Sequence, residues 1–202
     1  LPLDVQLLFT TLLMIPLGGL VVAFCRQIIG IKTFGTFMPI LVAISFRETQ
    51  LVWGIIIFSL IVGMGLIVRR LLSRLHLLMV PRITAVVTCV VIILFLLSLS
   101  GFRSGIHAGL SISLFPIIII SMLIERMTVV IEESGFRDAI INAMGSMFVA
   151  VLSYPLMTQP TMVHFMTTFP ELLLVVLALC LLMGRYNGYK FTEYWRFRHI
   201  KP

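Results

Sequence analysis

Long apolar stretches are the feature that most constrains this chain. Six of them, each 16–21 residues long, cover residues 5–25, 51–68, 83–101, 106–124, 138–157 and 169–184. A membrane-spanning helix needs about 20 mostly apolar residues. Only 11% of the residues are charged, against about 25% in soluble domains. The pattern therefore predicts an all-α integral membrane protein, with the whole chain forming one polytopic domain.

A seventh stretch, GIKTFGTFMPILVAISFRE at residues 30–48, is harder to interpret. Its apolar part, 33–46, would form a helix only about 21 Å long, short of a hydrocarbon core of about 30 Å. An extension to 28–46 reaches span length by including Lys32, whose ammonium can snorkel to the headgroups. Gly35 and Pro39 are expected to break this helix, because Pro removes a backbone hydrogen bond. The stretch either crosses the bilayer or only dips into it.

The distribution of basic residues discriminates between these topologies. Seven spans with a cytoplasmic C-terminus place 13 Lys and Arg residues inside and two outside, whereas a re-entrant second segment gives 11 and four. Because cytoplasmic loops carry the excess of Lys and Arg, the count favours a bundle of seven transmembrane helices with the N-terminus outside. The net charge of +7 is then explained by loops and by a basic, aromatic tail at 185–202 that contacts membrane lipid, not by binding to nucleic acid.

Two groups of residues are candidates for a functional role near or within the spans. Gly35 and Pro39, with Asn142 and Ser146 of the sixth span, are expected either to line a path for a solute or to permit close helix packing. Small residues at Ala139, Ala143 and Ala150 accompany Asn142 and Ser146 at helical spacing and favour packing. The adjacent pair Arg47 and Glu48 forms either an interfacial cap or a gate or docking point on the outer side.

Charged residues on the predicted cytoplasmic side are candidates for a partner surface. They are Glu125, Arg126, Glu132, Glu133, Arg137, Arg196 and Arg198. The first five flank a predicted turn at Ser134–Gly135, and the last two lie in the tail. Consecutive acids such as Glu132 and Glu133 point in different directions on a helix, which is poor geometry for a paired general acid and base.

Catalytic and metal-binding signatures are missing from the sequence. The motifs HExxH, GxSxG, GxGD and a Walker loop are absent, and no acidic residue lies deep within a predicted span. Cys25, Cys89 and Cys180 show no C-x-x-C spacing and are expected to be small apolar side chains. We therefore predict no catalytic residues, no metal site and no cofactor.

Three stretches resemble one bacterial family: TFGTFMPILVAISFRET (33–49), MLIERMTVVIEESGFRDA (122–139) and GRYNGYKFTEYWRFR (184–198). Together they are similar to the seven-transmembrane module that is usually fused to an inactive transglutaminase-like domain. The resemblance implies an inner-membrane protein in which a periplasmic transglutaminase-like domain precedes the spans, so that this chain, which begins at Leu1, would be a fragment. It also implies an association with cytoplasmic ATP-grasp peptide ligases.

Three functions are compatible with these observations. The first is a non-enzymatic module that anchors the extracytoplasmic domain and couples it to cytoplasmic partners such as an ATP-grasp ligase. The second is a transporter or exporter of a small peptide-like solute, suggested by the break at Gly35–Pro39 and by Asn142 and Ser146. The third is an intramembrane enzyme, for which the sequence offers no nucleophile and base pair.

Overall fold

The computed structural model describes residues 3–72, 81, 84–89, 91–92, 95–96 and 114–185. Every regular element in this part of the chain is helical, which confirms the predicted all-helical class. The elements are α1 (Leu3–Phe24), a π-helical turn (Cys25–Ile29), α2 (Phe37–Thr49), α3 (Leu51–Leu72), α4 (Leu114–Ser134), α5 (Phe136–Thr158), α6 (Pro160–Thr168) and α7 (Leu172–Gly184).

Several of these helices have the length and apolar character of membrane spans. Three qualify on their own, namely Phe9–Ile29, Leu51–Val68 and Phe136–Thr158, and the bent pair α6 and α7 would be a fourth if it forms one span. The described residues therefore support a multi-pass membrane protein. The total of seven spans and the orientation stay predictions, since 73–80, most of 81–113 and 186–202 lie outside the described residues.

The second predicted span differs most from the structure. A helix was expected over 28–46, but residues 30–36 are not helical and α2 begins only at Phe37. Pro39 does not break α2, and that prediction was wrong. It is the third residue of the helix, where a backbone N–H has no partner within the helix in any case. The interruption lies earlier, in the segment that contains Gly35.

Two stretches outside the predicted spans are helical. The sequence after residue 124 favours a helix that protrudes beyond the fifth span and ends at the turn at Ser134–Gly135, and α4 does continue to Ser134. The connection expected between residues 158 and 170 contains a helix of its own, α6, which is bent by 106° relative to α7. Its nine residues are too few for a span and contain four polar side chains, so periodicity over longer windows did not reveal it.

The described helices form two compact units, one within Leu1–Ile44 and Met144–Pro202 and the other within Ser45–Ala143. In the first unit, α1 contacts both α6 and α7. Gly18 of α1 allows close packing, because a Cβ atom there would lie 3.0 Å from the sulfur of Met157 and 3.4 Å from a methyl of Ile40. Met14, Val22 and Cys25 on α1 and its π-helical turn are fully buried.

The second unit has its own apolar core. Val86 and Ile124 are buried at its centre, and Ile57, Val68 and Val87 pack against them. On α4 the buried positions repeat at intervals of three or four residues, which is the pattern of a helix with one face in a core. They are Ile119, Leu123, Ile124, Met127, Thr128 and Ile131.

Candidate functional site

The break between α1 and α2 lies in the first unit and is built from residues 25–36. At its start, the carbonyl of Cys25 accepts hydrogen bonds from the backbone N–H groups of Gly30 (2.9 Å) and Ile31 (3.0 Å). These two bonds close a widened π-type turn in place of the next α-helical turn. Short π-helical turns within or at the end of α-helices are found frequently at functional sites.

Two hydrogen bonds between Thr33 and Gly35 hold the non-helical segment that follows. The Thr33 hydroxyl donates a hydrogen bond to the carbonyl of Gly35 (2.7 Å), and the backbone N–H of Gly35 donates to the carbonyl of Thr33 (2.8 Å). Gly35 has a φ of 66°, in the left-handed region that side chains with a Cβ atom disfavour. The turn that precedes α2 depends on a glycine at this position.

Helix α5 holds the same segment at two adjacent residues. The backbone N–H of Phe34 donates a buried hydrogen bond to the hydroxyl of Ser146 (2.8 Å). Gly145 lies directly against the backbone of Lys32, since a Cβ atom at position 145 would overlap the Lys32 carbonyl oxygen. Within hydrocarbon each unsatisfied backbone group costs several kcal/mol. The contact with Gly145 and Ser146 is therefore what makes a helix break between Ile29 and Phe37 tolerable.

Helix α2 is buried over most of its surface. In the first unit its buried residues are Met38, Pro39, Ile40, Val42, Ala43 and Ile44. Burial on all sides is expected for a helix inside a bundle and not for one at its lipid-exposed surface. At about 20 Å for 13 residues, α2 reaches across a bilayer only together with the segment that precedes it. The largely buried α2 is thus joined to a segment whose buried residues, Thr33 and Phe34, lie where it is fixed to α5.

The predicted path residues are placed as follows. Gly35 lies in the exposed part of the break, Pro39 is buried in the first turn of α2, and Ser146 is fully buried against Phe34. Asn142 is half-buried one turn before Ser146 on α5. Sequence reasoning missed Gly145 and Phe34. The packing stripe that was recognised on α5 (Ala139, Ala143, Ser146 and Ala150, all buried) was the signal that a neighbour packs closely there.

Arg47 and Glu48 lie in the second unit, near the end of α2. Glu48 is exposed, whereas Arg47 is half-buried. The Nη1 atom of Arg47 is buried and has no hydrogen-bond partner within the part of the chain that the structure describes. Nearby side chains are satisfied, as the Thr49 hydroxyl donates to the Ser45 carbonyl (2.9 Å). The Arg47 side chain is thus partly withdrawn from the surface, and its role as a cap, gate or docking point stays a prediction.

Most of the predicted partner surface also lies in the second unit, around the turn at Gly135 that joins α4 to α5. Glu125, Arg126, Glu133 and Arg137 are exposed and Glu132 is half-buried. We call these five residues the charged ridge. Arg196 and Arg198 lie outside the described residues.

No ensemble suited to metal binding occurs in the described ranges, where no group of three or more His, Cys, Asp or Glu side chains could hold an ion. The described residues build a docked helix break, in which the Phe34 and Gly35 N–H groups and the Thr33 hydroxyl are hydrogen-bonded, and a charged ridge. Neither combines a nucleophile with a base.

Comparison with known proteins identifies a family but no individual relative. No curated protein and no solved structure matches the chain. One family matches residues 1–201, and it is described as seven transmembrane helices usually fused to an inactive transglutaminase. This match covers nearly the entire chain, including the helix break and the charged ridge. The chain therefore belongs to the family of seven-transmembrane-helix modules that are usually fused to an inactive transglutaminase.

Proposed function

We propose that this chain is a non-enzymatic membrane module. It anchors an extracytoplasmic, inactive transglutaminase-like domain and couples that domain to cytoplasmic partners such as an ATP-grasp peptide ligase. The observation that carries the proposal is the family match over residues 1–201, because the family's usual fusion partner is an inactive transglutaminase. A module with an inactive partner domain is suited to binding and positioning more than to catalysis.

The helix break supports a structural role of this kind. The Phe34 N–H, the Thr33 hydroxyl and the Gly35 N–H all find acceptors within the protein. The bond from Phe34 ties the segment before α2 to α5, the other two lie within that segment, and none of the three donors is presented to a solute. A rigid link between helices is what a module needs if it is to transmit a change from one side of a membrane to the other.

The topology belongs to the same proposal. Seven spans with the N-terminus outside place a preceding domain in the periplasm and the charged ridge in the cytoplasm, in a bacterial inner membrane. The distribution of 13 basic residues inside and two outside supports this orientation. Reporter fusions test it directly: alkaline phosphatase should be active when fused after residue 48, and inactive when fused after residue 135.

Charge reversal on the charged ridge tests whether a cytoplasmic ligase binds there. Glu133→Lys combined with Arg137→Glu reverses two exposed charges, so it should weaken crosslinking to a co-expressed ATP-grasp ligase while leaving the folded protein intact. Glu171→Lys is the matched control, since Glu171 is also exposed but belongs to the first unit. A ligase that crosslinks equally to all three proteins, or to none, would contradict the proposed coupling.

A second candidate function is transport or export of a small peptide-like solute. A broken helix within a membrane bundle favours it, because discontinuous helices form the substrate sites of many transporters. Proteoliposomes should then take up a labelled peptide, and Pro39→Ala and Asn142→Ala should reduce the uptake rate. Absence of uptake by the folded protein, or uptake that neither variant changes, would exclude this function.

A further inference from the structure

We propose that α6 is an interfacial helix, which lies along the bilayer surface and inserts one apolar face at the boundary between headgroups and acyl chains. Its site on the membrane is formed by Met162, Phe165 and Phe169. The proposal does not depend on the proposed function, because it concerns how the module contacts lipid.

The first observation is the angle between α6 and the helix that follows. The axes of Pro160–Thr168 and Leu172–Gly184 differ in direction by 106°. Helix α7 contains no charged residue, and Leu174, Val175, Leu177, Leu179, Leu181 and Leu182 are exposed at its surface. A helix of this kind belongs in hydrocarbon. If α7 follows the membrane normal, a neighbour at nearly a right angle to it runs close to the membrane plane.

The second observation is that the surface of α6 divides into three sectors. Val163 and Met166 are the least exposed side chains and face the protein, in which α6 contacts α1. Met162 and Phe165, with Phe169 directly after the helix, are 37%, 48% and 53% exposed. Their spacing of three and four residues places them on one side.

The third sector is polar and lies largely opposite the lipid sector, which is formed by Met162, Phe165 and Phe169. It consists of exposed His164, Thr167 and Thr168, and Thr167, two residues after Phe165, points away from that ring. The Thr167 hydroxyl donates to the carbonyl of Val163 (2.9 Å) and is already satisfied. A helix within hydrocarbon would expose the polar sector to lipid, and a helix in water would expose two aromatic rings and a methionine. Only the boundary between headgroups and acyl chains gives the apolar sector lipid contact and the polar sector contact with water.

The composition of α6 defines how it binds. Many interfacial helices carry Lys and Arg that attract anionic lipids, but PTMVHFMTT has neither. Burial of apolar area therefore drives the contact, and the depth of insertion should not depend on lipid charge. We expect the same depth in zwitterionic and in anionic bilayers, and at low and at high salt concentration.

Spin labels measure this depth in the full chain, reconstituted in nanodiscs. Single cysteines would be placed at positions 162 and 165 for the lipid sector and 164 and 167 for the polar sector, with Cys25, Cys89 and Cys180 replaced by Ala. Positions along α7 provide a ruler, since its 13 residues span about 20 Å. Power saturation with oxygen and with a nickel chelate reports how deep each label lies.

The expected result is a shallow, nearly constant depth on α6. If α7 follows the membrane normal, the 106° angle allows the two ends of α6 to differ in depth by only about 4 Å, from a length of about 13 Å. Labels at 162 and 165 should favour oxygen, and those at 164 and 167 should favour the nickel chelate.

Three outcomes would overturn the proposal. A depth that increases steadily by about 10 Å or more along α6 would indicate a re-entrant helix. Nickel access at all four positions would place α6 in water, and oxygen access at all four would place it in hydrocarbon. If a cysteine at 165 impairs folding, Met162→Cys and Phe169→Cys provide the same measurement of the lipid sector.

Discussion

Substitution of Gly145 by Ala is the sharpest test of how the helix break is held. The new Cβ atom would overlap the carbonyl oxygen of Lys32, which is a backbone atom that cannot move without the whole segment. Displacement of the segment would also break the hydrogen bond from Phe34 to Ser146.

The expected change in the free energy of unfolding is the sum of three contributions. Overpacking costs about 1–3 kcal/mol, and loss of a hydrogen bond between membrane helices costs about 0.6–1.7 kcal/mol. The higher helix propensity of Ala returns up to about 1 kcal/mol. We therefore expect Gly145→Ala to lower the free energy of unfolding by about 1–4 kcal/mol, which shifts Tm by roughly 2–4 °C for each kcal/mol in a protein of this size. Ser146→Ala, which removes only the acceptor, should cost about 1–3 kcal/mol.

Thermal unfolding in detergent measures both changes, with a thiol-reactive dye that reports exposure of the fully buried Cys25. Gly63→Ala is the matched control, because a Cβ atom at this helical position meets nothing within 4 Å. The double variant of Gly145 and Ser146 should cost less than the sum of the single ones, since both break the same hydrogen bond. If Gly145→Ala is as stable as Gly63→Ala, or if the two costs simply add, the reasoning is refuted.

Substitutions at three further positions test other contacts by the same assay. Arg47→Met removes a buried guanidinium nitrogen that has no partner among the described residues. The free energy of unfolding should therefore be unchanged or rise by up to about 2 kcal/mol. A clear fall in Tm would mean that Arg47 is paired. Gly35→Ala should cost about 1–2 kcal/mol because φ is positive there, and Gly35→Asn should cost less; equal Tm values would contradict the left-handed conformation. Gly54→Ala should cost about 1–3 kcal/mol, since its Cβ atom would overlap the buried Phe46 ring, and an unchanged Tm would show that the ring moves easily.

The sequence was sufficient for the helical class, because runs of about 20 apolar residues have few alternatives in a membrane. The small residues on α5 also indicated close packing correctly, and Ala139, Ala143, Ser146 and Ala150 are buried. Both the helical class and the packing face of α5 depend on residues that are close together in the chain, and the periodicity of the sequence therefore indicates them.

Sequence periodicity could not predict the docked break, because the residues that hold it are far apart in the sequence. Phe34 and Ser146 are separated by 112 positions, and no local pattern indicates which backbone N–H a serine will satisfy. Pro39 was misjudged because the first residue of α2 was unknown, and a proline is disruptive in a helix interior but not in its first turn. The Arg47 nitrogen without a partner among the described residues could not be foreseen either, because it depends on burial and not on residue type.

The hydrogen bond between Phe34 and Ser146 also bears on the order of assembly during synthesis. A ribosome adds about 5–20 residues per second, so that the 112 residues between donor and acceptor require about 6–22 s. Throughout that interval the segment before α2 has no acceptor from α5 for its Phe34 N–H. The Phe34 N–H must therefore be hydrated or shielded by the insertion machinery until α5 has been synthesised. Helix α5 thus completes the packing of the first unit at a late stage of synthesis.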